Sequence, residues 1–155
     1  MPLHTRPKSS KQESPIILIV DDELDVLIPL AEILQALIPH ASIFAAESVP
    51  KALEFASRES VDLVITDYRM PDMTGEELLV ILSQSVARPA SIMMTAFPIE
   101  GLAYRAVNDS HVSAILSKPF DAAIMAEKAI QLLESRAAMK IKSYPTTPTK
   151  KASVA

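Results

Sequence analysis

The chain has no cysteine, no tryptophan and only two glycines, Gly75 and Gly101, among 155 residues. The missing thiols exclude disulfides, thiolate nucleophiles and zinc-thiolate sites together. Two isolated glycines cannot build a phosphate-cradling glycine loop or a dinucleotide fingerprint. No apolar run approaches the ~20 residues that cross a bilayer, and the opening MPLHTRPKSSKQESP lacks the apolar stretch of a secretion signal. By elimination the expected location is cytoplasmic, with no membrane partner. His4, His40 and His111 show no metal-ligand spacing. The seven methionines read as core filling, and Ser83 and Ser85 have no base patterned beside them.

With 49% hydrophobic residues, the chain can bury one core and is too short for a second. Charge is unevenly spread. Residues 1–15 hold Arg6, Lys8 and Lys11 against Glu13, and residues 139–155 hold four lysines and no acid, so the net −4 of the whole leaves −10 on the middle. Both ends are short of apolar periodicity and rich in Ser, Thr, Pro and Lys. They are expected to be disordered basic tails, over 1–15 and 141–155, on a domain spanning 16–140. Four lysines without interleaved aromatics do not make a nucleic-acid surface, so direct DNA binding is not expected.

Four apolar runs end on residues able to handle a phosphoryl group. IILIV leads into Asp21 and Asp22, LVIT into Asp67, SIMM into Thr95 and AILS into Lys118. The successive intervals, Asp21 to Asp67, Asp67 to Thr95 and Thr95 to Lys118, are 46, 28 and 23 residues, which fit two strand-helix-strand crossovers and then one each. In a parallel sheet the carboxyl ends of such strands meet in one crevice. An aspartate can attack phosphorus and form an acyl phosphate, but carboxylate and phosphate are both anionic, so their charge must be offset. Asp21 and Asp22 suit Mg2+, which binds through one or two carboxylates plus phosphate oxygens. Lys118 adds a point charge and Thr95 a hydrogen-bond donor. Singly, each reads as a helix cap or a neutralising partner; five at these spacings read as a site.

The strings IVDDE (19–23), DLVITDYRMPDMTGEELL (62–79), MMTAF (93–97) and SKPF (117–120) closely resemble the receiver domain of two-component response regulators. The resemblance covers residues 16–138. It implies a phosphoacceptor at Asp67, Mg2+ held by Asp22, Asp67 and the Arg69 backbone carbonyl with Asp21 acting through water, phosphate contacts from Thr95 and Lys118, and a cis Lys118-Pro119 peptide. It implies a doubly wound, flavodoxin-like sheet of five parallel strands in the order 2-1-3-4-5. Its implied partners are a histidine kinase or histidine phosphotransfer protein, and a protein target downstream; self-association through the face around the fourth and fifth strands is a further form of contact. Because no effector domain follows residue 140, output is expected through protein contact or phosphorelay. The basic ends suit a free-standing regulator and the receiver of a hybrid kinase alike. The expected protein is not a turnover enzyme.

The chain departs from the family pattern in three respects. The switch position, usually aromatic, is Ile115. Gly101 and Tyr104 lie between the fourth and fifth strands, where glycine costs roughly 1 kcal/mol of helix propensity, so a weak helix is expected there. Arg69 and Phe97 occupy the positions flanking the path of the hydrolytic water, and their bulk predicts a persistent phosphoryl state. Two other function classes compete. A haloacid dehalogenase-like phosphotransferase needs an acid two residues after its nucleophile, where this chain has Arg69; a receiver-like module that is never phosphorylated would not need all five site residues.

Read from periodicity alone, strands fall at 16–20, 42–46, 61–66, 90–95 and 112–116, apolar enough to be covered on both faces. LDVLIPLAEILQALI (24–38) has helical spacing, with Pro29 predicting a late start or a bend. Ser48 with Pro50 marks a helix entrance. Thr74 and Glu77 form a capping box, and Asp121 caps the last helix, which is expected to run to about Lys140.

Overall fold

The computed structural model describes residues 13–96 and 111–143, the last two by backbone alone. The basic ends, Phe97 and the segment with Gly101 and Tyr104 lie outside the described residues apart from the stretches just given.

Five strands, β1 (Ile16–Val20), β2 (Ser42–Ala46), β3 (Leu63–Asp67), β4 (Ala90–Thr95) and β5 (Ala114–Ser117), form one parallel sheet in the order β2-β1-β3-β4-β5. Alternation along the central strands explains the layering. Ile17, Ile19, Leu63, Ile65, Ile92 and Met94 face one side, where they meet Leu27, Leu30 and Leu34 of α1 (Leu24–Leu37) and Met125, Ala129 and Leu133 of α4 (Ala122–Ser143). Leu18, Val20 and Val64 face the other, against Val49 and Ala52 of α2 (Val49–Arg58) and Leu78, Leu79 and Leu82 of α3 (Gly75–Ser83). With each buried aliphatic side chain worth about 1.5–3 kcal/mol, these two layers fix the strand register and with it the ends of the strands.

The local signals act as their chemistry predicts. Ser48 Oγ accepts the Lys51 amide, with Pro50 inside the first turn of α2. Thr74 and Glu77 make the reciprocal capping box on α3. Asp121 accepts the Ala123 amide at 2.8 Å at the head of α4. Boundaries shift by a few residues: β3 begins at Leu63 and includes Asp67, β5 spans 114–117, and α4 continues to Ser143.

Pro29 does not delay α1, which starts at Leu24 and runs through it. The carbonyl that loses its donor belongs to Asp25, and both residues are exposed, so water can take the place of the missing amide. No helix among the described residues is long and apolar enough to cross a membrane.

Candidate metal centre

The order of the sheet sends the chain from β1 outward to β2 and then back past β1 to β3, so a crevice opens between the carboxyl ends of β1 and β3. The two acid-bearing strand ends sit there side by side, Val20 being paired with Thr66. Asp21, fully buried, follows β1 and is anchored by its amide to the Ala46 carbonyl at the end of β2. Its Oδ1 accepts the Glu23 amide at 2.9 Å, turning the chain toward α1 and leaving Asp22 exposed at the rim. Asp67 ends β3 with 7% exposure. Carboxylate oxygens of Asp21, Asp22 and Asp67 all lie within 4.8 Å of one another.

Lys118 enters from the end of β5, where its amide donates to the Thr95 carbonyl at 2.7 Å. Its Nζ lies 3.1 Å from Asp21 Oδ2 and 3.1 Å from Asp67 Oδ1. The Lys118-Pro119 peptide is cis. Burial and the nearby Asp21 charge outweigh Lys118 at Asp67, holding its carboxyl above the usual range. For Lys118, burial works against the charged form, but the bonds and charges of Asp67 and Asp21 more than compensate and hold the ammonium above its usual value. Asp21 has both oxygens engaged, whereas Asp22 meets solvent. Hard oxygen donors gathered this closely, with like charges left to offset, fit a small divalent cation.

Thr95, 1% exposed, ends β4 one residue beyond Met94, the register partner of Asp67. Ile115 is half-buried, opposite Met93 in the β4-β5 ladder. Arg69 is exposed on the loop that follows Asp67. The structure thus brings Asp21, Asp22, Asp67 and Lys118 into contact range, with Thr95 at the neighbouring strand end and Ile115 further down its strand.

Two features escaped the sequence reading. Gly75 packs against the backbone of Asp67: a β-carbon on it would lie 2.2 Å from the Asp67 carbonyl oxygen. At the opposite end of the sheet, Asp62 accepts the Ile16 amide at 3.0 Å, Lys140 Nζ at 3.0 Å and Arg136 Nε at 3.3 Å, while Arg136 also donates to the Ala87 and Arg88 carbonyls. The scarcity of glycine hinted at the first. The second had as its sole trace two cations one helical turn apart in α4.

A family profile described as response regulator receiver domain matches residues 17–130. Among curated proteins, the two-component response regulator ORR12 of Oryza sativa subsp. japonica is 40% identical over 74 residues, covering 46% of this chain and 59% of that protein. The response regulator protein PilR of Pseudomonas aeruginosa is 31% identical over 121 residues, covering 77% of this chain and 26% of PilR. The chain therefore spans between about a quarter and three fifths of these relatives. Among solved structures, the signal receiver domain of an HD domain-containing protein from Pseudomonas fluorescens Pf-5 superposes with a TM-score of 0.74 at 29% identity, over 83% of this chain and 93% of that one.

Proposed function

The chain belongs to the response regulator receiver domain family, and from that premise we propose that Asp67 accepts a phosphoryl group from a phosphohistidine on a histidine kinase or phosphotransfer protein. The observation that supports this most directly is the single ammonium of Lys118 bridging Asp67 and Asp21, 3.1 Å from each, inside a three-carboxylate cluster. In the transfer, the bond from phosphorus to the donor imidazole nitrogen breaks and a bond from phosphorus to an Asp67 carboxylate oxygen forms. The imidazole keeps the electron pair of the broken bond. Mg2+ held by Asp22, Asp67 and the Arg69 carbonyl, with Asp21 through water, would neutralise the carboxylates and the incoming phosphoryl oxygens. Lys118 then exchanges part of its pairing with Asp67 for the phosphoryl oxygens, and Thr95 donates its hydroxyl to them.

On this reading the protein is a cytoplasmic switch and not a turnover enzyme. Its output is a shift of population on the β4-β5 side, read by a protein partner and not by DNA. Ile115 lacks a ring and hydroxyl to exchange between buried and exposed positions, so the signal passes through Thr95. The residue types at 69 and 97, a long cation and an aromatic ring at the two positions that flank the water path in the family, support a long-lived acyl phosphate. Replacing them as Arg69→Asn and Phe97→Glu is expected to speed dephosphorylation several-fold; unchanged rates in both would remove the crowding argument.

The test of the phosphoacceptor is incubation of the full chain with phosphoramidate and Mg2+, followed by intact mass. One phosphoryl group is expected on the native chain and none on Asp67→Asn or after chelation of the metal. Equal labelling of Asp67→Asn would overturn the assignment.

A further inference from the structure

The loop from Tyr68 to Thr74 is held more tightly than a surface connection requires. The Gly75 amide donates to the Tyr68 carbonyl at 2.8 Å, closing the loop at its neck. Within it, the Met73 amide donates to the Pro71 carbonyl at 2.9 Å around Asp72, whose φ is 71°. This is a γ-turn of the rare, strained hand. Met70 and Met73 pack against the α2-α3 side of the core and hold the loop down. Such strain persists only where the surroundings over-determine it, and it gathers at functional sites.

The neck closes because residue 75 has no side chain. A β-carbon there would lie 2.2 Å from the Asp67 carbonyl oxygen and 3.1 Å from both its carbon and Thr66 Cγ2. The obstructing atom is backbone, itself fixed by the β3-β4 ladder and by the Thr66 hydroxyl, which donates to the Asp67 carbonyl at 3.0 Å. Any side chain at this position must therefore push the start of α3 away from β3, and the neck bond carries the loop with it. Arg69 lies within that loop.

We infer that Gly75 is a positioning residue for the metal centre: by seating the first turn of α3 on the backbone of Asp67, it holds the Arg69 carbonyl beside the three carboxylates. The inference rests on the reading above, in which that carbonyl is a metal ligand. Mg2+ demands near-ideal octahedral geometry at about 2.0–2.1 Å, so a displaced backbone ligand is felt in affinity, while carboxylate side chains can rotate to follow the ion. The consequence is selective. Metal affinity falls, and phosphoryl acceptance recovers when the ion is saturating, because Asp67, Lys118 and Thr95 are held by β3, β5 and β4 and not by the loop.

The experiment is a calorimetric Mg2+ titration of the full chain as the native protein, Gly75→Ala and Asp72→Val, with intact-mass labelling by phosphoramidate at saturating Mg2+ and hydrogen exchange of the 68–74 amides without metal. Asp72 is exposed, and a β-branched residue at positive φ disfavours the γ-turn without touching the Asp67 carbonyl. Gly75→Ala is expected to weaken Mg2+ binding about tenfold, equivalent to ~1.4 kcal/mol, with a smaller loss in Asp72→Val, faster exchange across the loop in both, and near-native labelling at saturation. Should Gly75→Ala fail to fold, Asp72→Val carries the comparison. Native binding with unchanged affinity in the folded variants overturns the inference and leaves the phosphoacceptor reading standing. Absence of Mg2+ binding to the native chain overturns the reading beneath it.

Discussion

At the scale of single residues, Lys118 carries the greatest electrostatic load. It is the partner that both Asp67 and Asp21 have in common, and its side chain is only 17% exposed. Its folded pKa is raised above 10.5, so the stabilisation is fully present below that value and is lost as pH climbs through the raised one. Lys118→Met removes the charge and keeps the bulk, leaving buried carboxylates uncompensated. Removing one partner of a buried pair costs about 3–5 kcal/mol, and partial solvent access places this case toward the lower end. Urea denaturation at neutral pH without metal checks the loss; Mg2+ is expected to recover part of it by supplying a substitute positive charge. Lys118 was legible in the sequence because an isolated ammonium at the end of an apolar run is chemically conspicuous. Gly75 was not, because the same letter serves a helix entrance, a turn or a close approach, and only the 2.2 Å spacing to the Asp67 carbonyl decides among them.

At the scale of elements, strand and helix identities were legible wherever hydrophobic period and capping chemistry agreed. The Thr74-Glu77 box is purely local, and both halves form at 3.2 and 2.8 Å. Thr74→Ala is therefore expected to destabilise the protein by about 1 kcal/mol, measured as a shifted urea midpoint with an unchanged slope. Of the two outcomes expected at Pro29, the late start does not occur, because the rule against interior proline weighs the lost hydrogen bond without asking whether water can reach the orphaned carbonyl. The clamp on α4 was illegible for a different reason: Asp62 and Arg136 are 74 residues apart, and nothing short of the folded sheet brings them together. Burial works against the Asp62 charge, but the Ile16 amide, Lys140 and Arg136 together hold its carboxyl below 3.8. Its contribution is thus present above 3.8 and lost as pH falls through the lowered value. Asp62→Asn is expected to cost about 1.5–3 kcal/mol at neutral pH, as for hydrogen bonds to charged groups. The gap to the native chain should close in acid. Hydrogen exchange should quicken in the last turns of α4, where Met139 and Ile141 are 72% and 76% exposed and burial offers little hold.

At the scale of the whole molecule, the two poles of the sheet carry opposite tasks. At the amino-terminal edge of the strands, the one carboxylate of Asp62 is held by two cations, Lys140 and Arg136, which tie α4 to the sheet. At the carboxyl edge, three carboxylates lie within 4.8 Å of one another, two of them paired with Lys118, so like charges are held close together. Like charges at such separations repel by an amount on the order of 1 kcal/mol where water screens them, and by more as burial deepens. Asp22 is the exposed member, so its charge can be removed without leaving a buried group unpaired. Without metal, Asp22→Asn is expected to be more stable than the native chain by a few tenths to about 1 kcal/mol, since one repulsive term disappears. On the proposed reading, Mg2+ at a hundredfold excess over its Kd would stabilise the folded native protein by about 2.7 kcal/mol, whereas the variant, short of a ligand, would gain less at the same concentration. The order of urea midpoints should therefore reverse on adding Mg2+. If Asp22→Asn remains the more stable protein at every Mg2+ concentration, the like charges at the carboxyl pole are not held for a cation.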